Sequence, residues 1–104
     1  MKEYELGDKV AWVSQAQGTW TKKVGTITQV ISANTFLNRV VDTSYYRRNF
    51  SLRVDFAASG RRKEVSYLVA VPPPEGSEAK WMLYWPNTKK LEDAGNAELG
   101  TTAF

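Results

Sequence analysis

The sequence predicts an all-β chain: a small β-barrel of five or six short antiparallel strands, with one long connector and a weakly ordered C-terminal tail. Three observations carry this. Gly and Pro cut the chain into short segments, most of them rich in β-branched and aromatic residues. No long segment repeats its apolar residues at the 3.6-residue spacing of an amphipathic helix. The chain has 104 residues, enough for one compact core, with the barrel expected over residues 1–92 and the tail over 93–104.

The first strand is expected at residues 8–13, where a Gly7-Asp8 turn signal precedes Val10 and Trp12 alternating with Lys9 and Ala11. The polar stretch Ser14–Lys22 contains Gly18 and reads as a loop. The second strand is expected at Lys23–Ile31, with Val24, Ile27, Val30 and Ile31 as its apolar positions. These do not keep a period of two. Gly25 implies a bulge or a close backbone approach that resets the pattern.

Residues 32–50 read as an extended connector, with "TFLNRVV" as a short strand and "DTSYYRRN" as a loop. Beyond it, Phe50, Leu52, Val54 and Phe56 share one parity, and Ser51, Arg53 and Asp55 share the other. That is the alternation of a half-buried strand. Extending it backwards would bury Arg48 unpaired, so the strand should begin near Asn49 and leave "SYYRR" outside it.

"AASGRRK" reads as a hairpin connection with Ser59-Gly60 at its turn. Strand Glu64–Val71 follows, with Val65, Tyr67, Val69 and Val71 on its apolar face, and Pro72, Pro73 and Pro74 end its ladder. Trp81–Trp85 is too apolar for a loop and reads as a strand. "TKKLE" is a last short strand after Pro86-Asn87. "DAGNAELGTTAF" has only Leu99 and Phe104 to bury and reads as a frayed end or a short docked helix. The inward residues are expected to include Val10, Trp12, Ile27, Leu52, Val54, Phe56, Val69 and Leu83.

Composition excludes several chemistries. With no Cys and no His, there is no disulfide, thiolate metal site, His-ligated zinc or Ser-His-Asp triad. No dense Asp cluster suggests a hard-cation site, and no cofactor is expected. "MKEYELGDKV" carries charges where a signal peptide needs its apolar core. No apolar stretch approaches the roughly 20 residues of a membrane span. A cytoplasmic protein without membrane contact is the expectation. Residues 1–90 hold all 14 Lys and Arg against eight acids, net +6, and residues 91–104 contribute −3. A basic body of this kind attracts polyanions modestly.

"GDKVAWVS" and "GTWTKKVGTITQVI" resemble the opening of SH3-like barrels, among them the KOW and Tudor-like modules and the small photosystem subunit with the same barrel. The pair "FSLRVDF" and "EVSYLVAV", and the Pro-marked turn before "KKLE", are similar to how such barrels finish. The resemblance spans residues 6–92, with matching letters confined to 7–31. It implies an SH3-like barrel whose loops touch partners, and the connector 32–50 and the insert 72–80 depart from the minimal pattern.

Three basic-aromatic groups are the candidate sites. In the first, Arg47 and Arg48 would contact phosphates while Tyr45 or Tyr46 stacks on a base; the competing reading folds both tyrosines back over the barrel end. The second is Arg61, Arg62 and Lys63, at the tip of the expected hairpin, where they either neutralise phosphates or keep an exposed turn soluble. The third is Lys22 and Lys23 beside Trp20. Among the four tryptophans, Trp12 is the best core candidate and Trp20 the best exposed one.

An aromatic cage for a methylated cation is conceivable from Trp12, Tyr67, Tyr84 and Asp55. Type II dihydrofolate reductases are SH3-like tetramers with a similar Gly-Asp-x-Val start, but their Gln-Ile-Tyr strand is missing: "LYW" at 83–85 does not replace it. The proline run 72–74 reads as a rigid surface loop rather than a ligand for another domain. The expected function is a non-enzymatic binding module for DNA or RNA. The alternative is a protein–protein interaction module, an adaptor or inhibitor of a larger complex.

Overall fold

The computed structural model describes residues 3–16, 18–57, 60–94 and 100–103. Strands β1 (Lys9–Ala16) and β2 (Thr19–Ile31) form one continuous antiparallel hairpin, from Lys9 opposite Thr26 to Ala16 opposite Thr19. The loop expected over Ser14–Lys22 is therefore mostly strand. Its Ser and Thr residues lie on a half-exposed arm, where polar side chains suit a pleated edge, and Gly18 at φ 78° takes the left-handed conformation of the turn.

Two short helices follow, α1 (Leu37–Val40) and α2 (Thr43–Asn49). Next come β3 (Phe50–Leu52), β4 (Ser66–Val71), β5 (Trp81–Tyr84), a 3-10 turn at Thr88–Lys90, β6 (Glu92–Asp93) and β7 (Gly100–Ala103). The sheet order is β3-β5-β4-β2-β1-β6, and β7 pairs with the N-terminal half of β2. Among the described residues only β3 and β5 run parallel, so this mostly-β chain carries a mixed sheet. Among the described residues β3 and β6 do not pair with each other, and the sheet is not closed.

The sheet nevertheless rolls. Trp12 on β1 and Tyr84 on β5, separated by β2 and β4 in the order, meet edge to face at 5.6 Å. Inside the roll lie Tyr4, Val10, Trp12, Ile27, Tyr67, Val69 and Val71. A second core on the opposite face contains Ile31, Leu37, Val41, Tyr46, Phe56, Leu68 and Leu83, with Phe50, Leu52, Val54 and Trp85 packed against it. Both faces of β4 are therefore covered, and all six of its residues are buried, Ser66, Leu68 and Ala70 included. The one-sided strand expected there is a central strand instead, and Val65 lies outside it, exposed.

Gly25 makes the close approach that its position implied. A Cβ there would fall 2.5 Å from the Ala70 carbonyl oxygen and 2.7 Å from Val69 Cγ1. The bulge lies further on, between Ile27 and Gln29. It turns both Thr28 and Gln29 toward Tyr46.

The connector 32–50 is not extended. "TFLNRVV" contributes α1 rather than a strand, and "SYYRR" is helical rather than a loop. Asp42 caps α2, its carboxylate accepting from the Tyr45 N–H at 3.1 Å. Burial of Leu37, Val41 and Tyr46 on the second core supplies what such short helices lack alone.

The alternation Phe50–Phe56 holds as packing, since Phe50, Leu52, Val54 and Phe56 all join the second core. As a strand it ends at Leu52. Because β5 lies between β3 and β4, those two strands are not hairpin partners; Ser59 of the expected turn lies outside the described residues. The segment expected as a frayed end or a helix supplies β7, while Leu99 and Phe104 lie outside the described residues. Among the described residues no helix is long and apolar enough to cross a membrane.

Candidate nucleic-acid interface

The helix α2 separates its two tyrosines. Tyr46 is 6% exposed. Its hydroxyl donates to Gln29 Oε1 at 3.1 Å and lies 3.4 Å from Thr28 Oγ1. It packs on Phe50 and Phe56, with centroids at 5.3 and 6.0 Å. Tyr46 is thus a core residue and is removed as a stacking candidate. Tyr45, one residue earlier, projects away from the core and is 47% exposed.

Tyr45 lines an open hollow of about 390 Å³ with Asn49, Phe50, Thr26, Thr28, Ala70 and Trp81. Trp81 is 40% exposed. The hollow therefore has two accessible aromatic walls and threonine hydroxyls, beside a helix whose last turn carries Arg47 and Arg48. Among the described residues neither arginine side chain has a hydrogen bond or ion pair. Arg48 lies three residues after Tyr45, on the adjoining part of the helix surface. Arg47 follows Tyr46, on a different side.

Arg61, Arg62 and Lys63 behave as three different residues. The Arg61 guanidinium lies 5.4 Å from the Phe36 ring centroid. The Arg62 guanidinium stacks 3.7 Å from the centroid of Trp85 and donates to the Trp85 and Pro86 carbonyls, both at 2.6 Å. Burial lowers its pKa from the usual arginine value. Arg62 is therefore a structural clasp, not a loop-tip cation. Lys63 is exposed and shares with Arg62 a hollow of about 410 Å³, which Glu64, Asn87, Thr88 and Lys89 complete.

The third group also divides. Trp20 is 51% exposed and Trp12 is 5% exposed, as their positions implied. Lys22 faces Glu92 across 3.8 Å. Lys23 turns inward: its Nζ donates to Ser14 Oγ at 2.6 Å and lies 4.9 Å from the Tyr84 ring centroid. Its pKa is lowered, first by burial and then by the charge of Arg53. The conceivable cage does not form, because Tyr67 is buried against Tyr4 and offers no open face.

Sequence reasoning missed Trp81, Asn49, Thr26 and Thr28, and it missed Arg53. Lys80-Trp81 carries the same basic-aromatic signature as Tyr46-Arg47 and was legible. The threonines were not, because their place beside Tyr45 depends on α2 docking across β2. Compared with protein-family models, curated proteins and solved structures, the chain matches none.

Proposed function

We propose that this chain is a non-enzymatic module that binds single-stranded nucleic acid. The observation that carries the reading is the hollow between Tyr45 and Trp81: two exposed aromatic faces, with hydroxyls between them and unpaired arginines on the adjoining helix. Base stacking on aromatic side chains is sequence-tolerant and contributes roughly 1–3 kcal/mol per base. Arg48 would take the flanking phosphate, while Arg47 on the other side of the helix, Lys63 and Arg61 add positive charge further out. Tyr46 and Arg62 support the site by holding the helix and the 60–63 segment in place. A rolled, unclosed sheet beside the site is compatible with an opened relative of the SH3-like barrels. The Trp12–Tyr84 contact and the long shared strand β2 support that likeness.

The test is a titration with single-stranded DNA, duplex DNA and RNA, followed by tryptophan fluorescence at about 50 and 200 mM salt. Trp81 makes the expected readout direct quenching by single strands. It should weaken with salt and disappear in an Arg47→Ala/Arg48→Ala variant. Absence of binding at low salt sinks the reading and leaves a protein partner at the same aromatic patch as the alternative.

A further inference from the structure

We infer that Lys23, Arg53, Ser14 and the Tyr84 hydroxyl form a seat for a phosphate group on the inner face of the rolled sheet. They come from β2, the segment after β3, β1 and β5, and only the roll assembles them. Lys23 Nζ lies over the Tyr84 ring at 4.9 Å and donates to Ser14 Oγ at 2.6 Å. The Tyr84 hydroxyl and Arg53 Nη2 both point at one atom, Met82 Sδ, at 3.6 and 4.0 Å.

The cluster is rich in donors and poor in acceptors. Lysine has three N–H donors and arginine five. Among the described residues the acceptors offered to the Lys23, Arg53 and Tyr84 side chains are one serine hydroxyl and one thioether, and a thioether is a weak acceptor. Ser14 accepts from Lys23, which leaves its own hydrogen free to donate. Among the described residues neither Lys23 nor Arg53 has a carboxylate partner. The two cations are close enough for Arg53 to help depress the Lys23 pKa.

An anion with several oxygens would satisfy both charges and replace the sulfur as the acceptor for Arg53 and Tyr84. A tetrahedral phosphate fits best, because guanidinium groups recognise it with paired N–H donors while lysine supplies a compact charge. A free phosphate and a nucleic-acid backbone present the same chemistry to the seat. The seat stands apart from the Tyr45–Trp81 hollow and does not depend on it.

The test is a titration of the isotope-labelled protein with sodium phosphate against sodium chloride at matched ionic strength, following the Lys23 side-chain signals by NMR. Saturable shifts with phosphate alone are expected. They should be lost in Arg53→Gln and weakened in Tyr84→Phe, which removes one hydroxyl and keeps the ring. Equal responses to chloride, or a phosphate response that survives Arg53→Gln in a variant of unchanged melting temperature, overturn the seat. A dinucleotide without terminal phosphates then separates the sources. If it displaces phosphate the seat takes a nucleic-acid backbone, and if it does not the seat takes a free phosphate. Tyr45→Ala should leave the phosphate response intact even where it abolishes oligonucleotide binding.

Discussion

The guanidinium of Arg62 lies over the indole of Trp85, 3.7 Å from its centroid, while its two terminal nitrogens donate to the Trp85 and Pro86 carbonyls. Trp85 is fixed in turn by its Nε1–H, which donates to the buried Ser66 Oγ at 2.8 Å. This joins the 60–63 segment to the end of β5 and to central strand β4. Arg62→Lys keeps the charge and loses the planar fork, so it should reduce stability by about 1–2 kcal/mol in urea unfolding. An Arg62→Lys variant as stable as the parent would show that the stacking contributes nothing.

Tyr45 and Tyr46 should give opposite results. Tyr46→Ala empties part of the second core and should lose about 3–5 kcal/mol, whereas Tyr46→Phe removes only the hydroxyl and should lose about 1 kcal/mol. Tyr45→Ala, although Tyr45 touches Tyr46 and Phe50 at its edge, should lose less than about 1 kcal/mol. Chemical denaturation of the three variants checks this directly.

Binding should sort the same residues the other way. Tyr45→Ala and Trp81→Ala should each weaken single-strand affinity by about 1–3 kcal/mol. Tyr46→Phe should leave it unchanged. Anisotropy with a labelled oligonucleotide at fixed salt measures all three.

Gly25→Ala tests the roll. The added Cβ would meet the Ala70 carbonyl at 2.5 Å, and backbone cannot give way as a flexible side chain can. A loss of about 2–3 kcal/mol or more is expected in thermal or urea unfolding. A silent substitution would mean that β2 and β4 approach less closely than described.

Lys23 should titrate below the ordinary lysine value of 10.5, because burial and then the Arg53 charge disfavour its ammonium form. A proton held less tightly in the folded chain than in the unfolded one makes the charged lysine destabilising at neutral pH. Its contribution to stability therefore improves as pH rises from the lowered folded value toward 10.5. Arg53→Gln removes the second cause, so the Lys23 pKa should move up. NMR titration of the lysine side chain reads the shift, and an unchanged or lower value contradicts the proximity of the two cations.

The strands were legible where their residues are strongly patterned. β1, β2, β4 and β5 fall where Val10 and Trp12, the β-branched run after Lys23, the Tyr67–Val71 alternation and the Trp81–Trp85 run place them. The helices were not legible. Four and seven residues are too few to show a period, and Leu37, Val41 and Tyr46 become a helical face only when the second core exists to bury them. Asp42 was the available signal, as an N-cap residue three positions before Tyr45. Of the candidate site, Tyr45, Arg47, Arg48 and Trp20 were legible as exposed residues. Tyr46, Arg62 and Lys23 carry the same letters and are absorbed by packing.

The sequence by itself determined the mostly-β character of the chain, its principal strands and part of both cores: Val10, Trp12, Ile27 and Val69 in the first, Phe56 and Leu83 in the second. Local alternation and β-branching are properties of neighbouring residues and need no tertiary contact. The tertiary structure decided strand order, the parallel insertion of β5 between β3 and β4, and the roll that brings Trp12 to Tyr84. It also decided which of two adjacent tyrosines or arginines is free to bind. Those are contacts between residues far apart in the chain. They are set by which apolar faces must be buried together, and no short stretch of sequence records that.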